Sequence, residues 1–190
     1  MKRPAFVAAF AALLTALPSI AEVETYTIDP RHTFPSFEVG HFGMSFQRGR
    51  FNKTSGKVTL DRAAKSGSVE VVIDVASVDT GLERLEEHIR SEDFLHAASF
   101  PTITFKGGQM AFEGDKVKSV SGDLTMRGVT KPVTLNATLF NCGNHPANKK
   151  PMCGGEFVAN IKRSEWGITK FAPNLADEMT LRIAVEAFKD

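Results

Sequence analysis

The stretch Ser68-Val69-Glu70-Val71-Val72-Ile73-Asp74-Val75 alternates β-branched apolar side chains with polar ones, and only Val72 breaks the alternation. A period of two is typical of a β-strand with one face buried and the other in water. The same alternation recurs in six further segments, with apolar positions at Phe37 and Val39, Val58 and Leu60, Ile103 and Phe105, Val133 to Leu139, Phe157 to Ile161, and Leu181 to Ala187. With Tyr26–Ile28 and Val117–Met126 added, we predict about eight or nine strands, which favours an all-β, antiparallel barrel or sandwich.

One segment has the helical period instead. Thr80 and Glu83 stand three residues apart, which fits a capping box with Thr80 as the N-cap. Leu82, Leu85 and Ile89 then share one face, while the residues between them are polar. The spacing predicts one amphipathic helix that ends near residue 93.

Composition excludes two broad classes of protein. The chain has 190 residues, 42% of them hydrophobic, and its 23 Lys and Arg nearly balance 22 Asp and Glu. A disordered chain is poorer in apolar residues. A nucleic-acid partner is also disfavoured, because binding to phosphates needs an excess of basic residues. Phenylalanine occurs 15 times, against one Tyr and one Trp, which suits an apolar interior better than a wet interface.

The first residues have the pattern of a secretory signal peptide. Lys2 and Arg3 precede an uncharged, apolar run over residues 5–17, and small residues lead up to Ala21. As a helix this run spans only about 20 Å, which is short of the roughly 30 Å needed for a membrane anchor. We expect export with cleavage after Ala21, and a single mature domain over residues 22–190.

Export gives the two cysteines, Cys142 and Cys153, an oxidising environment in which they can pair. The residues between them are rich in turn formers, so the two ends can meet. A structural disulfide across so short a loop contributes roughly 3 kcal/mol. Two other interpretations stay open, namely a metal pair completed by His145 and a redox dithiol, although the Cys-x-x-Cys spacing is absent.

Enzyme motifs are missing from the sequence. It contains no Gly-x-Ser-x-Gly, no His-Glu-x-x-His and no glycine-rich phosphate loop. His32 and His41 flank one predicted strand, but their spacing matches no local metal motif. Asp29, His32 and Ser36 have the chemistry of a catalytic triad, as triples in many sequences do. We therefore predict no catalytic residue, no metal site and no catalytic cofactor.

Binding is the remaining interpretation of the apolar strand faces. A barrel of about eight strands has an interior that side chains can fill or that can hold one small ligand. An apolar lining would solvate an apolar molecule, and each buried methylene contributes about 0.8 kcal/mol. Periodicity does not distinguish a filled barrel from a hollow one.

Blocks of sequence along the chain add a second kind of evidence. The most specific is Gly122-Asp123-Leu124-Thr125-Met126-Arg127-Gly128-Val129-Thr130-Lys131-Pro132, and the others are residues 26–34, 37–43, 49–51, 77–80, 84–94, 100–105 and 163–167. Together and in this order they resemble the YceI-like family of periplasmic, lipocalin-like proteins that bind polyisoprenoids. Glu87 and Ile89 replace the usual Asp and Leu of that family, and the segment between the cysteines is not general in it.

The resemblance implies a periplasmic, lipocalin-like barrel with its helix beside or over the calyx. It implies a hollow interior, with a hydrophobic tunnel for a long-chain isoprenoid lipid such as an isoprenoid quinone or a polyprenyl pyrophosphate. It also implies a homodimer. For a carrier of such a lipid we further expect transient contact with a membrane or a membrane protein. The bound lipid would be a ligand and not a catalytic cofactor.

Candidate ligand-binding residues follow from the apolar faces. His41 shares its parity with Phe37, and Arg163 shares its parity with Phe157, so both polar side chains can meet a ligand headgroup near the mouth. Alternatively, each pairs with a carboxylate and fixes the barrel closure. The predicted tunnel lining is Phe37, Val39, Val69, Val71, Ile73, Ile103, Phe105, Leu135, Phe157, Ile161, Leu181 and Ile183.

These observations favour a periplasmic carrier or store of a long isoprenoid lipid. Two alternatives stay open. One is an enzyme that acts on such a lipid with His41 or His32 as its base. The other is a partner-binding barrel with a packed core and no ligand.

Overall fold

Strands make up most of the chain in the computed structural model, which describes residues 23–190. The predicted signal peptide, residues 1–21, lies outside them. The described part has one α-helix, α1 (Glu83–Arg90), and two short 3-10 turns, Val75–Ser77 and Arg163–Trp166. Its strands are β1 (Glu24–Ile28), β2 (Phe34–His41), β3 (Ser45–Phe51), β4 (Thr54–Asp61), β5 (Ser66–Asp74), β6 (Val78–Asp79), β7 (Thr102–Glu113), β8 (Lys116–Met126), β9 (Val129–Asn144), β10 (Pro151–Lys162) and β11 (Leu175–Lys189).

The strands form one antiparallel sheet that closes on itself, because β1 pairs with β11. Strands β1 and β2 both pair with β11. On its other side β1 pairs with β4, which pairs with β5. In the same way, β2 pairs with β3, which pairs with β6. The wall therefore contains three interrupted strands, formed by β1 with β2, by β4 with β3, and by β5 with β6. The wall has eight strands in up-and-down order, which confirms the predicted lipocalin-like barrel and explains why eleven segments replace the eight or nine expected.

Local chemistry explains where the wall strands break. Pro30 follows β1 and has no N–H for a sheet hydrogen bond. The buried carboxylate of Asp29 accepts hydrogen bonds from the backbone N–H of Arg31 and from its guanidinium, all at 3.0 Å. At the break between β5 and β6, the Asp74 carboxylate accepts the N–H of Ala76 at 2.9 Å and so caps the first 3-10 turn.

A charged cluster stabilises the seam where the barrel closes. The Glu24 carboxylate accepts hydrogen bonds from Arg62, from Lys189 at 3.0 Å and from the Tyr26 hydroxyl at 2.8 Å. These donors, Arg62 first and then Lys189, lower the pKa of Glu24 to about 2. Because the four residues come from β1, β11 and the end of β4, the cluster links all three strands at the seam.

The helix differs from its prediction at both ends. Gly81 has a φ of 77°, which delays the helix so that Leu82 is the N-cap and makes no side-chain capping bond. The N–H of Thr80 is accepted by Glu86 at 2.9 Å, so the capping box with Glu83 is wrong. The helix ends at Arg90 instead of near residue 93.

The disulfide between Cys142 and Cys153 is confirmed, and it links directly opposed residues of β9 and β10. His145 does not join a metal pair, because its Nδ1 accepts the N–H groups of Ala147 and Asn148 in the turn between these strands. No helix within residues 23–190 is both long enough and apolar enough to span a bilayer.

Candidate ligand-binding site

The interior of the barrel is hollow. A cavity of about 710 Å³ lies inside the wall, and most of the side chains around it are apolar. This finding overturns the alternative of a packed core without space for a ligand. An eight-stranded barrel is wide enough either to be filled by its side chains or to hold one small ligand, and here the inward side chains leave the space open.

The cavity runs along most of the barrel. It is lined at one end by Leu175 and at the other by Ala187, which begin and nearly end β11. Twelve residue steps at 3.4 Å correspond to about 40 Å of strand, or about 30 Å along the axis at the usual strand tilt. We call the end at Leu175 the mouth, because α1 lies there and contributes Leu85 and Ile89 to the lining.

Every residue predicted as a tunnel-lining or headgroup residue borders this cavity. The alternation of the strands therefore identified the inward faces correctly, while contact with a ligand stays a prediction. The fourteen residues are Phe37, Val39, His41, Val69, Val71, Ile73, Ile103, Phe105, Leu135, Phe157, Ile161, Arg163, Leu181 and Ile183.

Some lining residues escaped the sequence analysis because their segments lack a clean period. In β8 the pairing shifts register between Ala111 and Phe112 of the facing strand, so its inward residues are unevenly spaced. The loops after α1 and after β10 have no repeating pattern at all. The lining residues missed in these places are Val117, Val120, Leu124, Met126, Phe94, Leu95, Ile168, Phe171 and Asn174.

Polar side chains are concentrated at the mouth. His41 lies opposite Leu175 in the sheet register, and Gln47, Arg48, Arg163 and Asn174 also line this end. The far end, beside the disulfide, is lined by Phe140, Cys153, Gly154 and Ala187. The cavity is therefore more polar at the mouth. The hydroxyls of Tyr26 and Thr33 also line the far end, but they already donate to Glu24 and to the carbonyl of Glu186.

Arg163 occupies this end as a buried cation. Its side chain is 2% exposed, and its guanidinium donates to the carbonyl oxygens of Ala176 at 2.8 Å, Ile168 at 3.0 Å and Leu175 at 2.8 Å. Burial lowers its pKa, yet an arginine stays charged at neutral pH. No carboxylate within residues 23–190 forms a salt bridge with it, so the alternative of an acidic partner for Arg163 is wrong. Instead, Arg163 fixes the chain that leads into β11.

His41 has a different environment. Its ring packs against that of Phe42, with centroids 4.0 Å apart. Among the described residues its imidazole has no hydrogen-bond partner, and the acidic partner considered for it is also absent there. The imidazole thus lines the mouth with its nitrogens available to a ligand.

Of the remaining polar candidates, Ser36 borders the cavity, and Asp29 and His32 do not. His32 Nδ1 lies 3.0 Å from the Asp29 carboxylate, but neither residue lines the cavity. The Ser36 hydroxyl donates to the carbonyl of Arg182 at 2.8 Å and not to His32, so the triad is not assembled. Across residues 23–190, no three His, Cys, Asp or Glu side chains gather closely enough to hold a metal ion.

Comparison with known proteins gives a consistent result. Residues 26–187 match the model of the YceI-like domain. Protein YceI of Salmonella agona is 37% identical over 189 residues, which covers 98% of this chain and 97% of that protein.

Solved structures share the fold. Burkholderia cenocepacia BcnA superposes with a TM-score of 0.72 at 27% identity, over 84% of this chain and 98% of BcnA. A polyisoprenoid-binding domain from Saccharophagus degradans, implicated in plant cell wall breakdown, gives a TM-score of 0.62 over 87% of this chain and 98% of that domain. The latter is 16% identical and shows the fold alone.

Proposed function

The chain belongs to the family of YceI-like domains, and on that premise we propose that it is a periplasmic carrier or store of a long isoprenoid lipid. The observation that supports this most is the open, apolar cavity of about 710 Å³ that extends along the barrel. In this proposal the protein binds the lipid and does not catalyse a reaction on it.

The cavity has the chemistry of a hydrocarbon solvent. Transfer of a methylene from water into such a site contributes about 0.8 kcal/mol, so a long prenyl chain gains affinity with each unit it buries. The length of about 30 Å, estimated from β11, suits a chain much longer than a common metabolite. The polyisoprenoid-binding domain of Saccharophagus degradans has the same fold.

We expect the tail to point away from the mouth. A headgroup with oxygen acceptors would meet His41, Gln47 and Asn174 there, whereas the hydroxyls that line the far end, those of Tyr26 and Thr33, already donate to Glu24 and to the carbonyl of Glu186. A quinone carbonyl and a phosphate both fit this requirement, because each accepts hydrogen bonds from such donors. The tail would then lie over Ile183 and Phe157, which are paired neighbours in the wall at the middle of the barrel.

The direct test is extraction of the protein exported by its own host. Organic extracts analysed by mass spectrometry should contain a prenyl lipid in near-equal amount to the protein. Mass spectrometry of the same protein would establish its N-terminus, and residue 22 is the expected start. An empty extract, together with no binding of added polyprenyl lipid, would contradict the proposal.

A matched pair of variants connects any bound lipid with the cavity. Ile183→Trp places a large ring inside the cavity, whereas Ala184→Trp places the same ring on the exposed outer face of the next residue. The first variant should lose lipid, and the second should retain it. Equal lipid content in both variants would place the binding site elsewhere.

A further inference from the structure

Exposed apolar side chains collect at the mouth of the cavity. Within the described part of the chain, seven large hydrophobic residues are exposed, and four of them belong to two adjacent loops or their flanks. We call these four the apolar rim: Phe42 (56% exposed), Met44 (90%), Phe46 (58%) and Phe171 (50%).

The two loops are joined to each other and to the cavity. The N–H of Phe42, in the β2–β3 turn, donates to the carbonyl of Asn174 at 2.7 Å. Phe42 and Phe171 both line the cavity as well as being half exposed. Phe171 also packs edge-on against His88 of α1, with ring centroids 5.7 Å apart. The rim thus forms a continuous apolar path from the outer surface into the cavity.

The backbone of the rim is unusual for its side chains. Phe42 has a φ of 55° and Phe171 a φ of 62°, so both lie in the left-handed region. A bulky residue there is an outlier that costs about 1 kcal/mol, where Gly or Asn would adopt the same turn more easily. Two exposed aromatic rings are therefore placed at the mouth despite unfavourable local conformations, which points to a role in contact with something outside the protein.

We propose that the apolar rim docks the protein onto the surface of a phospholipid bilayer, with the cavity mouth facing the membrane. This inference rests on the proposed function, because a prenyl lipid resides in a bilayer and has to leave it without exposing its tail to water. Insertion of the rim gives the tail an apolar route from the hydrocarbon core into the cavity. A protein partner would offer no such route.

The charges beside the rim determine how strongly docking depends on the headgroup charge of the bilayer. Arg48 lies 5.8 Å from the ring centroid of Phe46 and pairs with Glu38. Lys170 lies 5.5 Å from the ring of Phe171 and pairs with Asp93 at 3.2 Å. Each cation already has an acidic partner, so anionic lipids add little attraction. We expect apolar insertion to dominate, with weak dependence on salt and on headgroup charge.

The test separates docking from ligand binding. Met44 and Phe46 do not line the cavity, so Met44→Ser with Phe46→Ser removes rim surface without touching the site. Leu139→Ser is the matched control, because Leu139 is 57% exposed but lies in β9, away from the mouth. Wild type and variants are exported from one host, so any processing of the N-terminus is the same in each.

Flotation with phosphatidylcholine vesicles measures docking, and uptake of a polyprenyl lipid from detergent micelles measures binding. The rim double variant should partition onto vesicles about tenfold less than wild type, which corresponds to about 1.4 kcal/mol. Leu139→Ser should float like wild type. All three proteins should take up lipid from micelles equally, and 0.5 M salt should change flotation less than twofold.

Several results would overturn the inference. Wild type that stays in solution, or a rim variant that floats like wild type, would show that the rim does not dock on bilayers. Flotation only with native membranes, lost after protease treatment of those membranes, would replace the bilayer with a protein partner. If no protein takes up lipid from micelles, the proposed function fails, whatever the vesicles show.

Discussion

Replacement of Arg163 by Met tests whether this buried cation supports the fold or the ligand. The substitution removes three hydrogen bonds from a charged donor to the carbonyls of Ile168, Leu175 and Ala176. Each such bond contributes about 1.5–3 kcal/mol, and relief of the buried charge offsets part of their loss. We expect a decrease of about 4 kcal/mol in the free energy of unfolding, and for a domain of this size a Tm lower by roughly 10 °C.

Urea and thermal unfolding followed by circular dichroism provide the measurement. Lys162→Met is the control, since Lys162 is the adjacent residue, carries the same charge and is exposed. It should change the free energy of unfolding by less than about 0.5 kcal/mol. If Arg163→Met unfolds like wild type but no longer binds lipid, the structural role argued for Arg163 is wrong and its main partner is the ligand headgroup.

Three further perturbations test other parts of the barrel. Replacement of Cys142 and Cys153 by Ser should lower the free energy of unfolding by roughly 3 kcal/mol, and dithiothreitol should have the same effect on wild type but none on the variant. Glu24→Gln should destabilise the protein at pH 7 by roughly 2 kcal/mol. Because the pKa of Glu24 is lowered to about 2 from 4.5, the difference from wild type should narrow as the pH falls from 4.5 towards 2. If the free energies of unfolding of wild type and Glu24→Gln differ as much at pH 3 as at pH 7, ionisation of Glu24 is not the source of the stabilisation. Gly49→Ala should destabilise the protein, because its Cβ would lie 2.5 Å from the ring of Phe37; stability equal to wild type would show that this ring moves freely into the cavity.

The predicted barrel and its inward faces rested on local information. In a strand, neighbouring side chains point to opposite faces, so the alternation around Ile73 or Phe157 assigns a direction to each residue without knowledge of the fold. Turn residues such as Asn52 and Gly114 separate the strands in the same local way. The disulfide was predictable because the chain between Cys142 and Cys153 is short.

The capping box shows where local rules fail. Thr80 and Glu83 have the right spacing, but the left-handed Gly81 between them displaces the helix start, and Glu86 accepts the N–H of Thr80. The spacing of Thr80 and Glu83 does not reveal that Gly81 adopts a left-handed backbone conformation. The partners of Arg163 were also beyond prediction, because backbone carbonyls have no sequence signature.

The sequence by itself determined the barrel, its covalent link and which side chains point inward, because each of these depends on residues close together in the chain. Only the tertiary structure decided that the interior is empty and that Phe42, Met44, Phe46 and Phe171 meet around its mouth. The volume inside a closed sheet depends on how the strands are tilted and staggered around the whole circumference. The gathering of the rim depends on contacts between residues more than 120 positions apart, for which no local pattern exists.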